Sequence, residues 1–221
     1  MSAHPSESTC HPGGDTPARP QTIVVLGIGN LLWADEGFGV RCIEALQRRF
    51  EFAEHVSLID GGTQGLYLIQ HVQAADALLI FDAIDYGLEP GTLKQVRDDA
   101  VPRFMGAKKM SLHQTGFQEV LSLATLTGQY PRHVLLVGCQ PQELEDYGGS
   151  LRPRTLQALE EALPLALEHL QQWGACPVPR SRPLEPAQAT TAAHLRLNAY
   201  EAGRPSAEEA CRIGDARFIP R

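Results

Sequence analysis

The sequence predicts a three-layer α/β sandwich in which a mostly parallel, five-stranded sheet carries helices on both faces. Short runs of consecutive apolar and β-branched residues recur along the chain, and such runs are typical of strands covered on both sides. Glycine turns and acidic residues follow several of these runs, and segments with apolar residues at helical spacing come next. The repeated order of strand, turn and helix predicts βα units, which form a parallel sheet between helical layers.

The first unit is the most informative stretch of the chain. Thr22 to Leu26 predicts a buried strand, and Gly27 and Gly29 predict a tight turn after it. Asp35 and Glu36 follow at the predicted start of a helix, which continues through an apolar stripe of Val40, Ile43 and Leu46. Open α/β sheets bind ligands at the carboxyl ends of their strands, so an acidic residue in this turn lies where a site is expected.

The remaining elements repeat this order. Further strands are predicted at His55 to Asp60, Ala77 to Phe81 and His133 to Cys139, and further helices at Leu66 to Val72, Phe117 to Ala124 and Leu151 to Trp173. The connection from Ala83 to Gly91 is too short for a crossover helix, so Thr92 to Arg97 is predicted to be an antiparallel edge strand. A loop is expected through Met110 to His113, directly before a helix.

Composition divides the 221 residues into one domain and two tails. Residues 1–20 contain almost no large apolar side chain, which predicts disorder. Residues 21–176 hold all the predicted strands and are expected to form a single α/β domain. Residues 177–221 begin with a proline-rich stretch and show only a weak helical pattern near Ala192 to Tyr200, so we expect a flexible tail.

The composition also argues against several classes of partner. The formal charge is −7 and the pI about 5.6, without a basic cluster, so no nucleic-acid partner is expected. No apolar run reaches the roughly 18–20 residues that span a bilayer, and no signal peptide is recognisable, so no membrane insertion is expected. Five scattered cysteines without a Cys-x-x-Cys pair predict neither a disulfide framework nor a thiolate zinc site. These features predict a cytoplasmic protein, and the lack of a long exposed apolar stripe predicts a monomer.

One interpretation of the first turn is a dinucleotide-binding loop. The full fingerprint requires a third glycine, and Leu32 occupies that position. The acidic pair is a second objection, because a helix N-terminus that binds a pyrophosphate should not also present carboxylates to it. Asp60 argues in favour, since it closes the next strand about where a ribose-binding acid would lie. A nucleotide-binding module therefore stays open as an alternative.

A second interpretation of the same edge is a metal site formed by Glu36, Asp82 and His113. In a doubly wound sheet their loops lie on one edge, so two carboxylates and an imidazole can converge. This set suits zinc or nickel with open coordination sites. Each residue also has a structural interpretation, as a charge at a helix N-terminus, a turn former and an ordinary helix residue. Spacing alone favours the structural interpretation, because Glu, Asp and His at long separations are a weak signal.

A thiol protease is a third possibility. In that arrangement Cys139 is the nucleophile, His113 the base and Asp82 the residue that orients the base. A cysteine at the end of a buried strand is more often a small core residue, which argues against this interpretation.

Several segments together resemble a known family. In chain order they are GIGNLLWADEGFGVR, DGGTQGLYL, LIFDAIDYG, PGTL, SLHQTG and LLVGCQP, and they are similar to the hydrogenase maturation endopeptidases over residues 22–173. The wording of the first two segments is most similar to proteases of uptake or membrane-bound hydrogenases. Many relatives end near residue 176, so the resemblance does not account for the C-terminal tail.

The resemblance implies a phosphorylase/hydrolase-like three-layer fold and a metal-dependent or aspartyl-type endopeptidase. Members cut a C-terminal extension from the nickel-iron hydrogenase large-subunit precursor after nickel insertion. The resemblance places the family's metal contacts on Glu36, Asp82 and His113, and substrate recognition on Asp60 with Gly61 and Gly62. It implies that the precursor supplies the nickel, that zinc or cadmium can occupy the site in an isolated sample, and that other maturation factors are possible partners. The alternative function is a non-catalytic nucleotide- or nickel-binding assembly factor.

Overall fold

The computed structural model describes residues 21–105 and 112–205. The expectations for residues 1–20, for Met110 and Ser111, and for the chain beyond residue 205 lie outside this part. The described strands are β1 (Ile23–Ile28), β2 (Phe50–Glu51), β3 (Val56–Gly62), β4 (Ala77–Ala83), β5 (Leu93–Arg97), β6 (His133–Cys139) and β7 (Val178–Pro179). The helices are α1 (Phe38–Arg49), α2 (Ile69–Ala74), α3 (Ala100–Met105), α4 (Leu112–Leu126), α5 (Pro153–Gln172) and α6 (Leu197–Gly203).

The main sheet has five strands in the order β3-β1-β4-β6-β5. β1 pairs in parallel with β3 and β4, and β4 pairs in parallel with β6. β5 is the antiparallel edge strand, with Leu93 opposite Cys139 and Arg97 opposite Leu135. The predicted fold class and the predicted edge strand are therefore confirmed.

Alternate residues of the central strands build the two cores. In β1, Ile23 and Val25 pack on the side of α1 and α5, whereas Val24 and Leu26 pack on the side of α2, α3 and α4. Every residue of β1 and β4 is buried, which explains why their sequences are continuous apolar runs without alternation.

The strand order creates a crevice at the carboxyl edge of the sheet. After β1 the chain enters β3 on one side, and it then crosses to β4 on the other side of β1. The connections that follow β1 and β4 therefore diverge, which is the topological switch point where such sheets bind ligands. The turn after β1 and the end of β4 border this crevice.

Residues 177–205 differ from the flexible tail that their composition predicts. β7 pairs with β2, and the segment then follows the outer face of α1. Arg41 of α1 donates to the Leu195 carbonyl at 2.6 Å, and Glu44 accepts from the Leu197 N–H at 3.0 Å. Gln47 accepts from the Thr190 N–H at 2.9 Å. Polar side chains on one face of α1 thus bind the backbone of a segment with little apolar periodicity.

Smaller differences concern local elements. Helix α3 and the short strands β2 and β7 were not predicted. Cys42 and Cys139 are free and buried, and Cys176 is disulfide-bonded, a bond that the sequence did not predict. No helix within the described ranges is long and apolar enough to cross a bilayer.

Candidate active site

Close packing of α1 against the sheet places the turn after β1 at the switch point. Gly39, in the first turn of α1, lies so near the strands that an added Cβ would overlap the carbonyl oxygens of Ile28 and Phe81. Gly27 in β1 approaches the Gly39 carbonyl in the same way. These two glycines allow the start of α1 to contact both β1 and β4, and the turn before it is thereby brought to the strand ends.

That turn is a 3-10 helix, Ala34–Gly37, which we call the acidic turn. It was predicted as the start of the α-helix, which instead begins at Phe38. Gly29 makes the turn possible in two ways: its φ of +134° is unfavourable for other residues, and an added Cβ would overlap the Glu36 carbonyl oxygen. The Glu36 N–H donates to the Trp33 carbonyl at 2.9 Å.

Glu36 is half-buried in the acidic turn. Burial raises the pKa of its carboxyl group to about 7, because the charged form loses solvation. A carboxyl group with this pKa can accept and return a proton near neutral pH. The position and acidity of Glu36 therefore fit a chemical role at the sheet edge.

Asp82 lies near the end of β4, next to β1, and is fully buried. Its register partner on β6 is Gly138, whose missing side chain leaves room for the Tyr86 hydroxyl. The pKa of Tyr86 is raised, first by burial and then by the charge of Asp82, so its hydroxyl stays protonated. Asp82 and Glu36 thus lie at the carboxyl ends of adjacent strands, and the acidic turn packs beside β4.

The end of β3 and the turn that follows it lie on the other side of β1, and Asp60 is one of the last residues of that strand. We call residues 60–65 the glycine turn; Gly62 and Gly65 in it have positive φ values of +46° and +54°. The Gly62 carbonyl accepts from the Gly29 N–H at 3.0 Å, which joins this turn to the chain directly after β1. Burial raises the pKa of Asp60, and a backbone hydrogen bond from Gly62 opposes that shift.

His113 lies in the first turn of α4, whereas it was predicted to precede the helix. The side chains of residues 112–115 lie outside the described part of the structure. Gly116, one turn further on, packs against Gly65 of the glycine turn, with an added Cβ only 3.4 Å from the Gly65 Cα. The start of α4 is therefore at the same edge as Glu36 and Asp82. Among the side chains that are described, no group of three could hold a metal ion, so the metal site stays a prediction.

Two buried polar residues near the site were not assigned a role from the sequence. Asp35 is fully buried, and its carboxylate accepts hydrogen bonds from the chain after β6. Gln140 is 6% exposed, and its side chain binds the loop that follows Asp82. Two features of the sequence could have indicated these roles. Asp35 and Glu36 are adjacent, and neighbouring residues of a turn point in different directions. Gln140 is an amide residue directly after a buried strand.

The structure argues against a thiol nucleophile. Cys139 is fully buried, and burial, followed by the charges of Asp35 and Glu161, raises the pKa of its thiol to about 12. The thiolate needed for attack is therefore scarce at neutral pH. Cys139 is a core residue of β6.

The fold and the site define a doubly wound α/β protein with carboxylates at its switch point. Comparison with known proteins then identifies the family. The family model described as hydrogenase maturation protease matches residues 40–169. The hydrogenase expression/formation protein HoxM of Cupriavidus necator is 67% identical over 90% of this chain and 98% of its own length. The HupD protein of Thiocapsa roseopersicina is 59% identical, over 89% of each chain.

A solved structure agrees with these relatives. The hydrogenase maturating endopeptidase HybD from Escherichia coli is 40% identical, with a TM-score of 0.68, over 72% of this chain and 98% of its own. This chain belongs to the hydrogenase maturation protease family, and it is a hydrolase of the endopeptidase class. The family resemblance read from the sequence is confirmed, and the non-catalytic alternative is set aside.

The C-terminal segment is shared by some of these relatives. Because only 176 residues precede Pro177, a match over 199 residues of this chain must extend into the segment beyond it. The HybD match covers 72% of this chain and nearly all of HybD. The segment that packs on α1 is therefore a feature that this chain has in common with HoxM.

Proposed function

We propose that this protein removes a C-terminal extension from the large-subunit precursor of a nickel-iron hydrogenase, and that it does so after nickel has been inserted. The observation that carries the proposal is the position of Glu36 and Asp82 at the carboxyl ends of adjacent strands, beside the switch point, in a member of the hydrogenase maturation protease family. His113, at the start of α4, is the third residue proposed to contact the nickel of the precursor.

The proposed chemistry is hydrolysis assisted by the metal of the substrate. Nickel already held by the precursor polarises the scissile carbonyl or acidifies the attacking water. Water adds to the carbonyl carbon while a carboxylate takes its proton, and that proton passes to the leaving amine as the C–N bond breaks. Glu36 suits the proton transfer because it is only half-buried and is the more accessible of the two carboxyl groups. Asp82, near the end of β4, is the second residue proposed to contact the nickel.

This arrangement would make cleavage a check on nickel insertion. Two carboxylates and one imidazole leave coordination sites open, so the precursor's own ligands can hold the metal at the same time. A precursor without nickel would lack the group that these side chains contact. Cleavage would therefore follow insertion and not precede it.

Substrate recognition is proposed for Asp60, Gly61 and Gly62 of the glycine turn. Leu66 and Tyr67 follow this turn and are exposed, Tyr67 by 81%. Exposed aromatic side chains beside a cleft are typical contacts for a polypeptide partner. Gly62 is partly exposed and has no side chain, which leaves space for an extended segment to approach.

The test uses purified protein with nickel-loaded and nickel-free precursor. Mass spectrometry should show a single loss of a short C-terminal peptide from the nickel-loaded precursor and no loss from the nickel-free one. Equal cleavage of both would refute the nickel-dependent step. Loss of cleavage in folded His113→Ala protein would support the third ligand.

Several expectations accompany this proposal. Zinc or cadmium can occupy the site in an isolated sample, because both accept nitrogen and oxygen ligands. Other maturation factors are possible partners. The monomeric state and the cytoplasmic location remain predictions.

A further inference from the structure

The carboxylate of Asp35 joins both ends of one segment to the acidic turn. Its Oδ2 accepts from the N–H groups of Gln142 at 2.8 Å and Glu143 at 3.0 Å, and its Oδ1 accepts from the N–H of Arg152 at 2.7 Å. The Asp35 N–H donates in return to the Glu143 carbonyl at 3.1 Å. Hydrogen bonds to an ionised carboxylate are stronger than neutral ones, and this carboxylate is fully buried. Asp35 is therefore held from several directions.

The residues before Asp35 are attached to the same segment. The Gly148 N–H donates to the Leu32 carbonyl at 2.7 Å, and the ring of Trp33 meets that of Tyr147 edge-on at 5.3 Å. Three of the four residues that precede Glu36 thus contact the chain between β6 and α5. Little conformational freedom is left to Glu36, which follows them directly.

The first residue of the segment, Gln140, also binds the loop after Asp82. The Gln140 Oε1 accepts from the N–H groups of Tyr86 at 2.7 Å and Leu88 at 3.1 Å, and its Nε2 donates to the Asp85 carboxylate at 3.0 Å. The Gln140 carbonyl accepts from the Gly91 N–H at 2.8 Å. One buried amide side chain thus organises the backbone that continues from the end of β4.

We propose that residues 140–152, which we call the bracing segment, set the relative position of Glu36 and Asp82, with Asp35 and Gln140 as the positioning residues. Neither residue is proposed to contact the substrate. Asp35 acts through Glu36, the next residue in the chain, and Gln140 acts through the loop that follows Asp82. The inference rests on the proposed function of Glu36 and Asp82. Catalytic groups must be held within about 0.5 Å of their working geometry, so loss of either attachment lowers the rate of the chemical step.

The first test is Asp35→Asn in the full-length protein. The asparagine amide has the size of the carboxylate, but its NH₂ group cannot accept hydrogen bonds from backbone N–H groups. The hydrogen bonds that one of the two carboxylate oxygens accepts are therefore lost. We expect kcat for cleavage of nickel-loaded precursor to fall about 10²-fold, as a misplacement of 1 Å can cause, while KM changes by less than twofold. Gln140→Leu removes the hydrogen bonds to the loop after Asp82 and should lower kcat in the same way. This variant replaces Asp35→Asn as the test if Asp35→Asn does not fold.

Hydrogen exchange provides a readout that does not depend on cleavage. Asp35→Asn should speed exchange of the backbone amides in residues 34–37 and 142–143 by about tenfold or more, and Gln140→Leu should do so in residues 84–91. The control is Leu170→Ala, which removes a fully buried side chain near the end of α5, at the opposite edge of the sheet. Compared at an equal loss of Tm, Leu170→Ala should leave kcat and the exchange rates of these amides unchanged.

The outcomes separate this inference from the proposed function. Faster amide exchange in Asp35→Asn or Gln140→Leu together with a wild-type kcat would overturn the positioning role, while nickel-dependent cleavage would stand. Unchanged exchange in residues 34–37 of Asp35→Asn would overturn the bracing itself, whether or not the protein cleaves the precursor. Equal cleavage of nickel-free precursor by the wild type would overturn the proposed function and would leave the exchange result to decide the bracing.

Discussion

The acidic turn after β1 and the glycine turn after β3 lie side by side at one sheet edge, and they are built in opposite ways. In the acidic turn, Asp35 is fully buried and bound to the bracing segment. In the glycine turn, Thr63 and Gln64 are exposed, and Tyr67 just beyond it is 81% exposed. Both turns contain an acidic residue whose pKa is raised by burial, Glu36 and Asp60 respectively.

Gly39, in the first turn of α1, and Gly62, in the glycine turn, show the same contrast. Gly39, behind the acidic turn, has no room for a side chain because strand carbonyl oxygens surround it. Gly62, in the glycine turn, has room, with the Asp60 Oδ1 as the nearest atom to an added Cβ at 3.6 Å, and is required only for its positive φ. The difference agrees with the roles proposed for the two turns, chemistry for the acidic turn and substrate recognition for the glycine turn.

The largest expected effect tests whether the chemistry belongs to the acidic turn. Glu36→Gln should lower kcat for precursor cleavage by roughly 10²–10⁴-fold, because the amide cannot take up a proton. Asp60→Asn, in the neighbouring turn, should mainly raise KM. Mass spectrometric progress curves at several precursor concentrations separate the two constants. A greater loss of kcat in Asp60→Asn than in Glu36→Gln would reverse the assignment.

Stability tests the rigidity of the two turns. Gly39→Ala should lower the free energy of unfolding by about 3 kcal/mol, since the methyl group overlaps backbone that cannot move easily. Gly62→Ala should cost only about 1 kcal/mol, from its positive φ. Urea unfolding measures both values, and Gly203→Ala, where an added Cβ meets nothing within 4 Å, is the control. Equal costs at Gly39 and Gly62 would contradict the proposed difference in rigidity.

The pH dependence of stability tests the burial of Glu36. Its pKa is about 7 in the folded protein and 4.5 as an ordinary glutamate, so between these values the folded state binds more protons than the unfolded state. The free energy of unfolding should therefore fall as pH rises from about 5 to 8, by about 1–3 kcal/mol relative to Glu36→Gln. Urea titrations of both proteins at the two pH values provide the measurement. Parallel curves would show that Glu36 is more solvated than its position indicates.

The smallest expected effect concerns recognition. Tyr67→Ala should raise KM by about 3–10-fold and leave kcat within twofold, because an exposed side chain beside the site contributes to binding the precursor. Its free energy of unfolding should stay within about 0.5 kcal/mol of the wild type. Val178→Ala, an exposed apolar residue of β7, is the matched control and should change neither constant. A fall in kcat without a change in KM would show that Tyr67 contributes to the chemical step and not to binding of the precursor.

Much of the fold could be predicted because the signals are local. Continuous apolar runs predicted β1, β4 and β6 within one or two residues, and the short connection after Phe81 predicted an antiparallel β5. The positions of Glu36 and Asp82 at the sheet edge follow from the same pattern. Helix α3 was missed, as was the packing of residues 177–205, since the latter depends on side chains of α1 that are distant in sequence.

The sequence by itself determined the parallel sheet, the glycine turns, the acidic residues at the strand ends and the family. Each of these depends on residues that are neighbours in the chain. Only the tertiary structure showed that Asp35 faces inward while Glu36 is half-exposed, and that Gln140 binds the loop after Asp82. The hydrogen bond from Arg152 to Asp35 spans 117 residues, and that from Tyr86 to Gln140 spans 54. No local periodicity encodes such pairs, since they exist only once the strands have placed their ends together.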